Sequence, residues 1–159
     1  ILRPEIEPPE AEPETDVLVP YRAVIGFPDG GSELDANAVA SLETALASPQ
    51  MALGLPITLG AHSDSSGSDT ANLNSSEKRG VAVAEWFIAN GVEAERITVI
   101  AFGEQNPAQP NALPDGAPND EGRAANRRVE IEIAVPTPEA SAPESPEGSN
   151  PEGSVEASD

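Results

Sequence analysis

The segment VEIEIAV, Val129–Val135, constrains the fold more than any other. Val129, Ile131, Ile133 and Val135 alternate with Glu130 and Glu132. That period of two makes a strand with one buried and one wet face. Such a strand pairs antiparallel or sits at an edge, with one face left to solvent. Residues 17–27, VLVPYRAVIGF, repeat the signature, with Tyr21, Ala23, Ile25 and Phe27 set against Arg22, Val24 and Gly26. A further strand, ITLGA, opens after Pro56 with Ile57 and Leu59 on one face. RITVIAF, Arg96–Phe102, is apolar on both faces and is therefore expected at the centre of the sheet.

Two helices are expected between these strands. Asp35 is a suitable N-cap, Leu34 before it can staple onto Val39, and Val39, Leu42 and Leu46 share a face, which predicts a helix over 36–47. A second helix is expected over 75–89. Asn74 would cap it, Glu77 would reach back as in a capping box, and Gly80, Val83, Ala84 and Phe87 would face inward. Asn90-Gly91 would end it. Residues 103–122, rich in Pro, Asn and Gly, read as a loop. The order β-α-β-α-β-β predicts an α+β fold, a two-layer sandwich of one mixed sheet with two helices on one face. An aromatic content of 3% makes the core small and aliphatic.

The ends cannot join this core. Residues 1–16 carry four Pro and six acids against one Arg, and residues 136–159 carry five Pro, six acids and no base. Such segments bury too little apolar surface to offset about 1–2 kcal/mol of backbone entropy per residue. They are expected to be a disordered Pro/Glu linker and a disordered acidic tail, serving solubility or spacing, around one domain at 17–135. The chain has no initiator Met, and its abrupt start leads us to expect an upstream membrane anchor outside this sequence.

The net charge is −20, and −9 of it falls on residues 17–135. That balance argues against nucleic acid as a partner, because phosphate binding needs a basic face. With no Cys there is neither a disulfide nor a thiolate metal site. No run of about 18 apolar residues occurs to span a membrane.

One window concentrates the unusual residues. HSDSSGSDTANLNSSEKRG, His62–Gly80, holds the only His and two of the eight basic residues. Hydrolysis is a poor fit, since no Gly-x-Ser-x-Gly elbow accompanies His62. Calcium fits little better. Asp64, Ser66, Ser68, Thr70 and Asn72 have EF-hand spacing, but Asp69 and Ser75 stand where that loop needs Gly and a bidentate Glu. Neither phosphate-loop pattern appears. No cofactor, metal or catalytic group is expected.

Five of the seven bases in 17–135 lie in two clusters, Lys78-Arg79 and Arg123 with Arg127-Arg128. Arg79, about one turn into the expected second helix, would add to the positive N-terminal dipole and favour an anion there. Asp64 leads into that helix. An Asp64–Arg79 salt bridge could simply pin the loop. The same pair could also receive a zwitterion, with Asp64 on an ammonium and Arg79 on a carboxylate.

The ordered set His62-Ser63-Asp64, Gly67, Asn72, Ser76, Arg79, Gly91, Arg96-Ile97, Phe102-Gly103-Glu104, Pro107 and Gly122-Arg123-Ala124-Ala125-Asn126-Arg127-Arg128-Val129 resembles the OmpA-like peptidoglycan-binding domain over about residues 20–135. The resemblance implies a sheet of the same β-α-β-α-β-β order. It also implies non-covalent binding of peptidoglycan, without catalysis, in the periplasm of a Gram-negative bacterium. Carried over, Asp64 and Arg79 clamp the diaminopimelate residue of the stem peptide, while Asn72, Arg127, Ser63 and His62 line the site, His62 as a positioning residue. The domain would tether an envelope protein to the wall, attached to a membrane only through its upstream anchor. Oligomeric state is not indicated. Departures from the family pattern are Ser63 for Thr, Ala71 for an aromatic, Ser75 for Leu, and Gly80 for Ala at about 1 kcal/mol of helix propensity. The alternative is an assembly domain without wall binding that interacts through its acidic tails.

Overall fold

The computed structural model describes residues 18–135. The tails expected at 1–16 and 136–159 lie outside the described residues. Four strands form one mixed sheet: β1 (Tyr21–Gly26), β2 (Ile57–His62), β3 (Ile97–Gly103) and β4 (Arg128–Ile133), in the order β1-β4-β2-β3. β4 runs antiparallel to both β1 and β2, and β3 lies parallel to β2. The helices are α1 (Ala36–Leu46), a single turn α2 (Pro49–Ala52), the long α3 (Asp69–Ala89) and a short α4 (Asp120–Asn126).

The alternation in β4 fixes this arrangement. Val129, Ile131 and Ile133 are buried with Ile25, Ile57, Leu59 and Ala61 beneath Ala38, Leu42 and Ala45 of α1 and Val83, Ala84 and Phe87 of α3. Glu130 lies on the other face, which is open. The α+β architecture expected from the sequence is the one observed.

The strand expected at the centre lies at the edge, while β4 pairs antiparallel on both sides, as its alternation allows. β3 is an edge strand and β4 is central. β3 looks central because Ile100 and Phe102 make its outer face apolar, yet Ile100 is exposed and Phe102 is only half-buried, stacked on His62 with ring centroids 4.8 Å apart. β4 keeps the alternation of an antiparallel strand because its glutamates face the open side, where solvent meets them even in the middle of the sheet.

The second helix also begins earlier than expected. Ser68, not Asn74, is the N-cap of α3, and its side chain accepts from Ala71 N at 3.2 Å. The run Asp69-Thr70-Ala71-Asn72-Leu73-Asn74 reads as loop because short polar side chains compete for the backbone. In the fold that competition is absorbed. Asn72 bonds outward to Gly67, and Ser76 Oγ donates to Leu73 O and accepts from Gly103 N. Asp35 caps α1 as expected, accepting from Ala38 N at 2.7 Å, and Gly91 ends α3 with φ at +95°. α2 and α4 are too short to show a periodicity. The helix α4 occupies the end of the segment 103–122 that reads as loop.

Candidate functional site

The polar window of the sequence becomes the carboxyl end of β2, a short loop and the first half of α3. A bulge at Ala61/His62 breaks the β2–β3 register where this region begins. Bulges commonly re-aim side chains beside functional sites. β4 starts at the same end of the sheet, because Val129 pairs with Ala61, so Arg127 arrives beside Asp64.

Asp64 is buried, although the loop that carries it is rich in small polar residues. Its Oδ2 accepts from Arg127 Nη1 at 2.7 Å. Its Oδ1 accepts from Ser66 N at 3.0 Å and from Ser66 Oγ. Burial alone would raise the carboxyl pKa, but the hydrogen bonds from Ser66 and Arg127 outweigh it and hold it below the ordinary value. A carboxylate offers about four lone-pair positions, so roughly one, on Oδ2, remains open.

Arg79 does not make the expected salt bridge with Asp64. It sits ten residues past the start of α3, away from the helix N-terminus, so the dipole argument for an anion site there falls away. Its side chain crosses to the turn after β1. Nε donates to Gly31 O at 3.0 Å, Nη1 to His62 O at 3.2 Å, and Nη2 to Pro28 O at 3.5 Å. The guanidinium carbon lies 5.9 Å from the Phe27 ring centroid, a cation–π distance. Only 2% of Arg79 is exposed, and this burial pulls its pKa down against the attraction of Asp64. Three of five guanidinium N–H groups are thus engaged with carbonyls, leaving two. Arg127 Nε makes a longer bond, 3.4 Å, to Phe27 O.

The remaining expected residues surround this charged group. Asn72 clasps the Gly67 peptide, accepting from Gly67 N at 3.2 Å and donating to Gly67 O at 3.1 Å, and it donates to Glu104 Oε2 at 2.9 Å. Asn72 therefore lies in the first turn of α3 and holds the loop. Ser63 Oγ donates to Asp64 O at 2.9 Å, and Ser63 N donates to Gly103 O. The His62 ring touches no member of the Asp64 group. It lies against Gln105 O and Glu130 Oε2, each at 3.2 Å, and only its carbonyl reaches Arg79.

The sequence places Ser66 only at EF-hand spacing and Glu104 only within the family pattern, and it assigns neither of them, nor the carbonyls of Phe27, Pro28 and Gly31, to the site. Ser66 had a signal, for an Asp whose side chain bonds the backbone two residues on is an Asx turn. Carbonyl acceptors have none. Of the departures, Ala71 is solvent-exposed and its N–H is capped by Ser68, so the helix start stays intact. Gly80 fits α3 against the sheet: a Cβ there would lie 2.5 Å from Val99 Cγ1 and 3.2 Å from Ala61 Cβ. Among the described residues no group of three or more His, Asp or Glu could hold a metal, and no helix is long and apolar enough to cross a membrane.

The sequence profile of the OmpA family matches residues 26–121. The chain belongs to the OmpA family. A stretch of 117 residues is 40% identical to part of a Gloeobacter violaceus protein named photosystem I P700 chlorophyll a apoprotein A2, covering 74% of this chain and 13% of that protein. Over 136 residues it is 33% identical to the peptidoglycan-binding protein ArfA of Mycobacterium tuberculosis, covering 79% of this chain and 38% of the relative. The chain thus spans well under half the length of either curated relative. The OmpA-type fold is shared with the peptidoglycan-associated lipoprotein of Burkholderia pseudomallei, TM-score 0.61 at 20% identity, covering 70% of this chain and 89% of that one.

Proposed function

We propose that this OmpA-family domain binds peptidoglycan without catalysis and tethers an envelope protein to the cell wall in the periplasm. The finer reading is that it grips the far end of the diaminopimelate residue in the stem peptide. One observation carries it: Asp64, Arg127 and Arg79 form a buried group of net charge +1 whose hydrogen-bonding capacity is incompletely used. The open lone pair on Asp64 suits an ammonium. The two unspent N–H groups of Arg79 and Nη2 of Arg127 suit a carboxylate. Diaminopimelate carries both groups on one carbon. The similarity to ArfA, named as peptidoglycan-binding, supports the coarser part of the reading.

Sedimentation with purified sacculi tests both levels. Asp64→Asn keeps the shape and one acceptor but loses the charge. A charged hydrogen bond is worth about 1.5–3 kcal/mol, so affinity for diaminopimelate-type wall should fall roughly ten- to a hundredfold while the melting curve stays cooperative. Wall whose stem peptide carries lysine instead, an ammonium without the second carboxylate, should bind weakly to the native domain. Equal sedimentation of Asp64→Asn and native protein overturns the site. Equal binding of the two walls overturns the diaminopimelate reading alone. No binding by the native domain returns the protein to the assembly reading.

A further inference from the structure

His62 has an unresolved demand built into its surroundings. Nδ1 faces the carbonyl of Gln105 at 3.2 Å, and Nε2 faces a carboxylate oxygen of Glu130 at 3.2 Å. Both partners are acceptors. A neutral imidazole has one N–H, so whichever tautomer it adopts, one contact sets a lone pair against an acceptor. Only the doubly protonated ring satisfies both. The charged groups facing the ring come from β4: Glu130, whose other oxygen accepts from Arg128 Nε at 3.2 Å, and Arg128 itself, which also donates to Asn106 O. β3 presents the uncharged Phe102 ring, and Arg79 of α3 meets only the His62 carbonyl. Burial first, and then Arg128, hold the ring pKa below its ordinary value of 6.5, so the ring is neutral at neutral pH.

Gln105 is next in the chain to Glu104, and Glu104 holds the Asn72 amide that clasps Gly67. Gly67 belongs to the loop that carries Asp64. Two sets of hydrogen bonds, joined through the covalent Glu104-Gln105 backbone, therefore connect the His62 ring to the loop of the charged site. We propose that His62 is a proton-driven positioning residue: on taking a second proton the ring grips Gln105 and Glu130 together, fixes the segment after β3 and, through Glu104 and Asn72, firms the Asp64 loop. Resting on the peptidoglycan reading, this makes affinity for the wall rise as the pH falls below neutral. Asp64, with its carboxyl held below the ordinary value, stays ionised throughout that window.

Stability moves the other way. A histidine with a folded-state pKa below its unfolded value costs the fold stability as pH falls from the unfolded value towards the folded one. Tighter binding with a lower melting temperature is thus the signature, and global tightening by acid would not give it.

Because His62 is the only histidine, its ring nitrogens can be followed without ambiguity by nitrogen-15 NMR. In the ligand-free domain the amides of Gly67, Asn72 and Glu104 should titrate on the same curve as the ring. A soluble diaminopimelate-containing tripeptide should bind about fivefold tighter at about pH 5 than at about pH 7.5, the low end of coupling between two sites. In Glu130→Gln, Oε1 still accepts from Arg128 while the amide donates to the neutral ring. That variant should bind at about pH 7.5 as tightly as the native domain does at about pH 5, with a flat profile. Loop amides that ignore the His62 titration overturn the proposal, and so does a Glu130→Gln profile with the native slope. If the tripeptide binds at neither pH, the peptidoglycan reading falls, and the amide titration alone still decides the coupling.

Discussion

Under α1 and α3 the sheet is lined by Ile25, Ile57, Leu59, Ile131 and Ile133, none more than 1% exposed. A few residues further along the same strands the buried lining turns polar. Of the ten buried polar residues among the described residues, all but Ser48 and Gln50 gather where β2 and β3 end and β4 begins: His62, Ser63, Asp64, Asn72, Ser76, Arg79, Asn126 and Arg128. The two regions are equally dry and differ in what burial does for them. Apolar burial stabilises by about 25 cal/mol per Å² whatever the exact partner. A buried hydrogen bond nets only about 0.5–1.5 kcal/mol, and a buried ion pair can return less than its desolvation costs. The apolar layer therefore holds the domain together. The polar end contributes little to stability, yet each of its charged groups is held by specific partners at hydrogen-bond distance.

The strongest way to break this comparison is to cut into the apolar layer. Leu59 is fully buried at the centre of the sheet. Leu59→Ala should cost about 3 kcal/mol, read as a lower urea midpoint and a melting temperature down by roughly 10 °C. Per folded molecule, sedimentation with sacculi at low temperature should be unchanged. A loss of binding equal to that of Asp64→Asn would mean that the two regions are not separable.

Legibility in the sequence divides along the same line. The apolar layer could be read in advance, because alternation in Val129–Ile133 and the helical spacing of Val83, Ala84 and Phe87 are local patterns that burial imposes. The strand order could not, because a lone sequence does not separate an edge strand with an apolar outer face from a central one. The polar end was legible in its members and not in its connections. Asp64, Arg79 and Arg127 were singled out, and the fold brings them together. Their pairing depends on how far α3 extends and on carbonyls that any residue supplies. Starting α3 at 75 placed Arg79 at the helix end and joined it to Asp64. Starting it at Asp69 sends Arg79 into the turn after β1 and leaves Asp64 to Arg127.

Gly80 lies at the seam, facing the sheet one residue from Arg79. By propensity, Gly80→Ala should stabilise α3 by about 1 kcal/mol. The added methyl, however, would sit 2.5 Å from Val99 Cγ1, and overpacking of a filled layer costs about 1–3 kcal/mol. We expect a net loss of about 1 kcal/mol in urea denaturation, recovered when Val99→Ala is added to the same chain. A more stable Gly80→Ala single variant would show that the layer yields here, and that close packing of α3 does not set the position of Arg79.

The smallest effect comes from the exposed ion pair that joins β1 to β4. Arg22 Nε lies 2.9 Å from Glu132 Oε2, nearly as short as the Arg127–Asp64 contact, but its side chains are 74% and 46% exposed where those of Arg127 and Asp64 are 13% and 6%. Distance is thus nearly constant between the two pairs while solvation changes. Water and salt screen the exposed pair, so Arg22→Ala should shift stability by no more than about 0.5 kcal/mol, and less still at high salt. Glu132 keeps its hydration when its partner goes, whereas Asp64, with a side chain 6% exposed, regains little. A loss above about 1.5 kcal/mol on removing Arg22 would mean that geometry rather than burial sets the strength of a charge pair on this sheet. The division between an adhesive layer and a selective end would then have to be redrawn along the strands.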